Sequence, residues 1–233
     1  MTEASTPRCL GLIGGLGVGA TVHYYLELAK AHAARGCVPN LVIIHADVNR
    51  VLQHAAAGET TQLAEYLSQL IHRLARAGAQ LGVIPAVTPH ISTSELVQLS
   101  PIPLVNLIHE IAREIQIRRL KRVSLFGTRF AMESQLFGQL PGVEVVLPSP
   151  EQIGTIHGEY LQLVSAGRGS EDIYQSLRQI AHTLCERDQV QAIILAGTEL
   201  SMVFNEGNTD FPHIDGARVH LEAIMRELFA ESA

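Results

Sequence analysis

Two short stretches hold the residues best suited to chemistry. Residues 81–91, LGVIPAVTPHI, run apolar and stop at Thr88-Pro89-His90, and residues 191–200, QAIILAGTEL, run apolar and stop at Ala196-Gly197-Thr198-Glu199. Histidine and glutamate titrate ordinarily near ~6.5 and ~4.3, so modest shifts turn His90 and Glu199 into general acids or bases. Threonine hydroxyls are too weakly acidic for that work unaided, and Thr88 and Thr198 read as hydrogen-bond donors to a carboxylate or enolate. Each stretch predicts a buried parallel strand whose carboxyl end opens into a polar loop, which is where open α/β sheets place their ligands. The breaks at Ala86 and Gly197 lie 111 residues apart, close to half of the 233-residue chain. That spacing predicts two similar lobes facing one cleft. Paired strand ends of this kind could present groups to opposite faces of one small substrate, an arrangement suited to proton transfer at carbon.

The elements that must position these loops follow in order. CLGLI (9–13) predicts a strand running into the glycine turn Gly14-Gly15-Leu16-Gly17, and then a helix with an apolar face of Val22, Tyr25, Leu26, Ala29 and Ala33. LVIIHAD (41–47) is the next strand. A helix faced by Leu63, Leu67, Leu70, Ile71 and Leu74 delivers the chain to the 81–91 strand. Strand–helix–strand–helix–strand is the parallel α/β signature. Ser92 and Glu95 carry a capping-box pattern, so a helix should begin directly behind Thr88-Pro89-His90. IPLV (102–105) and a helix through Ile108, Ile111, Ala112 and Ile115 close the first half.

RVSLFGTRF (122–130) restarts the pattern and puts Gly127-Thr128 where the first half has Gly14-Gly15. A strand at 143–150, a helix through Ile153, Ile156, Tyr160 and Leu163, a second helix opened by Ser170, and the strand 190–196 complete the repeat. FPHID (211–215) and the last helix have no counterpart by this count and are expected to cross back onto the first lobe. The expected division is 1–116 with 211–233 as the first α/β lobe and 117–210 as the second.

Composition narrows the partners. A net charge of −6 gives no electrostatic reason to expect nucleic acid or an anionic membrane. The basic cluster Arg118, Arg119, Lys121 and Arg122 ends a helix, where cations complement the dipole. MTEASTPR lacks a charged-then-apolar signal pattern, and no apolar run approaches the roughly 20 residues that span a bilayer, so a cytoplasmic protein is expected. Cys9, Cys37 and Cys185 share no metal spacing and read as reduced thiols. Eleven histidines form no helical pair with a matching carboxylate, and no metal is expected. Gly15-x-Gly17-x-x-Ala20 matches a variant of the dinucleotide fingerprint, yet the acidic residue expected about 20 positions on is absent. Asp47 comes 30 residues after Gly17 and there is no Walker lysine. A tight turn lining a carboxylate pocket suits the same glycines.

Five segments, GLIGGLGVGAT (11–21), VIPAVTPHI (83–91), VSLFGTRFAM (123–132), IILAGTEL (193–200) and FPHIDGARVH (211–220), together resemble the aspartate/glutamate racemase superfamily over nearly the full length. The resemblance implies two pseudosymmetric lobes, each a mostly parallel sheet flanked by helices, with the active site in the cleft between them. It also implies no cofactor, a small amino acid or carboxylate as partner, and frequent homodimers. In that family two cysteines flank the α-carbon, one thiolate removing the proton and the other thiol returning one. The corresponding positions here are Ala86 and Gly197, where neither side chain offers a proton site. Thr88, Thr198, His90 and Glu199 match family positions, as do Thr21, Thr128, Asp215 and His220.

The expectation is therefore a racemase-like isomerase without the two-thiol mechanism. Thr88, Thr128, Thr198, Gly15 and Thr21 would hold the substrate, and His90 and Glu199 would move the proton. Two alternatives stay open: a decarboxylase or lyase on the same fold, which needs protonation on one face only, and a catalytically silent carboxylate-binding protein.

Overall fold

The computed structural model describes residues 8–205 and 207–230. Seven residues of the opening MTEASTPR stretch therefore lie outside the described residues. The chain divides into two compact units. Unit 1 contains residues up to Pro85, Pro89–Asn106 and the segment from Leu221, while unit 2 contains Ala86–Thr88 and Leu107–His220.

Unit 1 is built on a four-stranded parallel sheet in the order β2-β1-β3-β4, from β1 (Leu10–Gly14), β2 (Leu41–His45), β3 (Leu81–Val83) and β4 (Leu104–Val105). β1 and β3 are buried along their whole length, as expected of central parallel strands covered on both faces. β2 is an edge strand and is only partly buried. The helices are α1 (Val18–Ala33), α2 (Val48–Ala57), α3 (Thr60–Arg76) and α4 (Thr93–Leu99).

Unit 2 repeats the plan. Its parallel sheet has the order β6-β5-β7-β8, from β5 (Arg122–Phe126), β6 (Glu144–Val145), β7 (Ala192–Leu195) and β8 (His213–Asp215). Its helices are α5 (Leu107–Ile117), α6 (Arg129–Glu133), α7 (Pro150–Ala166) and α8 (Glu171–Arg187). Local chemistry fixes where α7 starts: Ser149 and Gln152 form a reciprocal capping box, with Pro150 in the first turn. Ser170 caps α8 by accepting from the Ile173 N–H.

Five expectations change. β8 pairs with β7 through Leu195↔Asp215, so FPHID completes the second sheet. The last helix, α9 (Gly216–Leu228), is divided after His220. The α5 helix belongs with the second unit because Ile108, Ile111 and Ile115 join its core. The boundary therefore falls at 106/107.

The other two corrections are local. α1 buries Ala20, Tyr24, Leu28 and His32, an i, i+4 row, while Val22 is 52% exposed and Tyr25 and Leu26 are also exposed. His32 tolerates burial because its Nδ1 lies 2.7 Å from the Leu28 carbonyl and its ring packs on Phe229. The capping box behind β3 does not form either. Ser92 Oγ donates to the Pro89 carbonyl, and Glu95 accepts from Thr60 Oγ1 at 2.6 Å, tying α4 to α3.

Candidate functional site

A sheet ordered 2-1-3-4 reverses its winding between the first and third strands, and ligands of open α/β sheets bind outside the carboxyl ends at that point. In unit 1 the reversal falls between β1 and β3, and in unit 2 between β5 and β7. Gly15, Thr88, His90, Thr128, Thr198 and Glu199 sit on the turns that leave these four strands, and Thr21 lies in the first turn of α1.

After β1 the chain turns at Gly15, whose φ of +85° lies in the region open to glycine. A Cβ at Gly15 would stand 2.7 Å from the His45 ring and 2.8 Å from the Ala46 carbonyl oxygen. Thr21 pins this turn: its Oγ1 accepts from the Gly15 N–H at 3.0 Å and donates to the Gly17 carbonyl at 2.9 Å. Both ends of that hydroxyl are engaged by the turn itself. Asp47 caps α2, accepting from the Asn49 and Arg50 N–H groups, and the helix it opens was absent from the sequence reading.

The turns after β3 and β7 share a design. Each strand is followed by a short 3₁₀ turn that begins on a threonine, Thr88–Ser92 in one and Thr198–Met202 in the other. Ala86–Thr88 groups with unit 2, and Val87 joins the same core as Ala196. Thr88 is half-buried and its hydroxyl has no partner among the described residues. His90, 5% exposed, lines a cavity of about 20 Å³ with Val83, Ile84, Leu96 and Val105, room for a single water.

Thr128 lies two residues beyond β5 and caps α6 through the Ala131 N–H at 3.1 Å, which leaves its O–H proton to donate outward. Beside it, His157 Nδ1 accepts from the Arg129 N–H at 3.3 Å, so the ring proton of neutral His157 sits on Nε2. Thr198 and Glu199 are buried, Glu199 to 2% exposure. Asp215, at the end of β8, accepts from Ser201 Oγ at 2.7 Å and from the Arg218 N–H, and thereby ties the second turn to the start of α9.

The sequence reading missed Tyr160 as a site residue. Its Oη donates to Glu199 Oε2 at 2.7 Å, and its ring lies over Gly197. A Cβ at Gly197 would fall under 3 Å from the ring's Cε2, Cζ and Cδ2. Position 197 therefore takes glycine for want of space, with φ at an ordinary −126°. Burial first, and then the facing Glu199 carboxylate, pushes the Tyr160 phenol well above its ordinary value, so it is protonated at neutral pH. Tyr160 fits the 153/156/160/163 periodicity of α7, and only the distant Gly197 signalled its second role.

The thiols stand elsewhere. Cys9 precedes β1 at the opposite end from Gly15, ~20 Å of extended chain away. Burial raises its pKa, and that of Cys185. Arg118 and Arg122 of the basic cluster serve structure, contacting Glu114 and the His213 carbonyl, and Glu144 and the Asp188 carbonyl. No three His, Cys, Asp or Glu side chains gather as a metal site among the described residues, and no helix among them is long and apolar enough to cross a membrane.

These features define an α/β protein of two parallel four-stranded units with the same strand order, each carrying polar groups at its switch point. The Asp/Glu/Hydantoin racemase family model matches residues 13–224, and the chain belongs to that family. Among solved structures, a putative Asp/Glu racemase from Yersinia pestis is similar at 25% identity and a TM-score of 0.82, covering 95% of this chain and 99% of that one. An aspartate racemase homologue from Pyrococcus horikoshii gives 24% identity, a TM-score of 0.79 and the same coverage. Glutamate racemase from Francisella tularensis, solved with D-glutamate, shares the fold at 14% identity and a TM-score of 0.65, covering 96% of this chain and 81% of that one.

Proposed function

We propose that the protein is a racemase-type isomerase that acts at the carbon beside the carboxylate of a small amino or carboxylic acid, without a cofactor and without paired thiols. The observation that carries this reading is the matched pair of 3₁₀ turns opening on Thr88 and Thr198 at the strand ends. Thr88, Thr128 and Thr198 donate to the substrate carboxylate, Gly15 and Thr21 shape the turn after β1, and His90 and Glu199 are the proton carriers. Ala86 and Gly197 occupy the positions of the family's thiols. The same reading carries a homodimer in the cytoplasm.

The test needs no guess at the substrate. A mixed pool of amino and small dicarboxylic acids is incubated with the protein in deuterated water and followed by proton NMR. Loss of one α-proton signal identifies the substrate, and a pool unchanged after long incubation sinks the reading. A second reading, decarboxylation, is favoured by the single phenol–carboxylate pair at the second turn, because protonation on one face suffices. Carbon dioxide release from substituted malonates separates the two.

A further inference from the structure

Glu199 poses a problem for any mechanism that uses it directly. At 2% exposure its carboxylate has almost no surface with which to meet a substrate. The side chain that binds it is Tyr160, a residue of intermediate burial whose Oη donates to Glu199 Oε2 at 2.7 Å. Its ring also fills the space that a side chain at Gly197 would need, beside the strand-end turn that carries Thr198.

We infer that Tyr160 is the catalytic residue that meets the substrate carbon on one face, and that Glu199 acts through it as the terminal proton acceptor. This rests on the racemase-type reading given above. In the forward step the substrate Cα–H bond breaks as a new bond forms to Tyr160 Oη. The original Oη–H proton passes along the existing hydrogen bond to Glu199 Oε2. The electron pair of the Cα–H bond moves into the substrate carboxylate as an enediolate, held by the hydroxyl donors of Thr88 and Thr128. The tyrosine is neutral before and after, and the negative charge passes from Glu199 to the substrate. Running the step backwards returns a proton to the same face, with no oxidant, reductant or metal required.

The arrangement also explains two residues at once. Glycine is needed at 197 so that the phenol can lie over the strand end, and glutamate is needed at 199 because a phenol without a carboxylate behind it is a poor base at neutral pH. Tyr174, which donates to the Asn208 carbonyl from α8, provides a control outside this pair.

The test is deuterium incorporation at the α-carbon, in the pooled substrates described above, by the intact protein and by Tyr160→Phe, Glu199→Gln and Tyr174→Phe. Phenylalanine keeps the ring over Gly197, and glutamine keeps an acceptor for the phenol while being unable to take the proton. Unchanged melting temperatures in both variants therefore confirm intact packing. The relay predicts exchange reduced on the order of 10²- to 10⁴-fold in Tyr160→Phe and in Glu199→Gln, the range of general acid–base catalysis, with Tyr174→Phe at the intact rate. If the intact protein exchanges and either of the first two variants keeps its full rate, the relay is overturned while the racemase-type reading stands. If the intact protein exchanges nothing in the pool, both fall together.

Discussion

The turns after β3 and β7 begin alike and are filled differently. Both leave a buried parallel strand and enter a 3₁₀ turn on a threonine. The first carries Pro89 and His90 against a small apolar cavity, and position 86 has room for a Cβ. The second carries a buried glutamate sealed beneath a tyrosine, and position 197 has no room for one. A duplicated frame thus supports unequal chemistry. What is repeated is the backbone that points groups at the strand ends, and what diverges is the layer of side chains behind it.

The largest test of that inequality is truncation of the two titratable residues. Glu199→Ala removes a buried side chain and leaves the Tyr160 hydroxyl without its partner, at an expected cost of about 3 kcal/mol by denaturant unfolding. His90→Ala removes a smaller share of buried packing, beside the cavity that the ring already lines, and should cost about 2 kcal/mol. Equal losses would remove the asymmetry. Next comes the glycine. Gly197→Ala should cost about 2 kcal/mol through overpacking against Tyr160, whereas Ala86→Ser at the half-exposed counterpart should stay within ~0.5 kcal/mol. In the Gly197→Ala/Tyr160→Ala double variant the overpacking should vanish, and a double-mutant cycle would read this as strong coupling. Additive losses would show that the ring is not what excludes the methyl.

The turns after β1 and β5 give a smaller contrast. Thr21→Val removes two hydrogen bonds that pin Gly15 and should cost about 1.5 kcal/mol, while Thr128→Val removes one helix cap and should cost about 1 kcal/mol. The smallest effect is a pH dependence confined to unit 2. Arg178, and then His182, hold the exposed Asp210 carboxyl at about 2, below its ordinary 3.8. A carboxyl depressed in the folded state stabilises above its unfolded pKa, and that contribution fades as pH falls from about 4 towards 2. Asp210→Asn should therefore flatten the acid limb of stability over that window and leave neutral pH nearly unchanged.

Much of the frame was legible in the sequence because parallel strands are read from short continuous apolar runs, and 10–14, 41–45, 81–83, 122–126 and 192–195 are such runs. What failed was reading faces from apolar counts. On α1 the richest stripe, Val22, Tyr25 and Leu26, faces outward, because a histidine satisfied by its own helix's carbonyl takes a buried place. The Ser92/Glu95 pattern failed because Glu95 found a hydroxyl 35 residues away, a partner that local spacing cannot reveal. The candidate residues at the strand ends were visible as breaks in apolar runs. Tyr160 was not, since an aromatic at helical spacing looks like core, and its hydroxyl partner lies 39 residues on.

The fit of Tyr160 over Gly197 has a historical consequence. A side chain at 197 is blocked while the tyrosine stays, whereas position 86 already carries a Cβ and is only partly buried. Descendants of this chain can therefore explore new nucleophiles at the first turn by single substitutions. At the second turn they must first give up the aromatic ring, so the order of mutations is imposed by sterics before selection acts on activity.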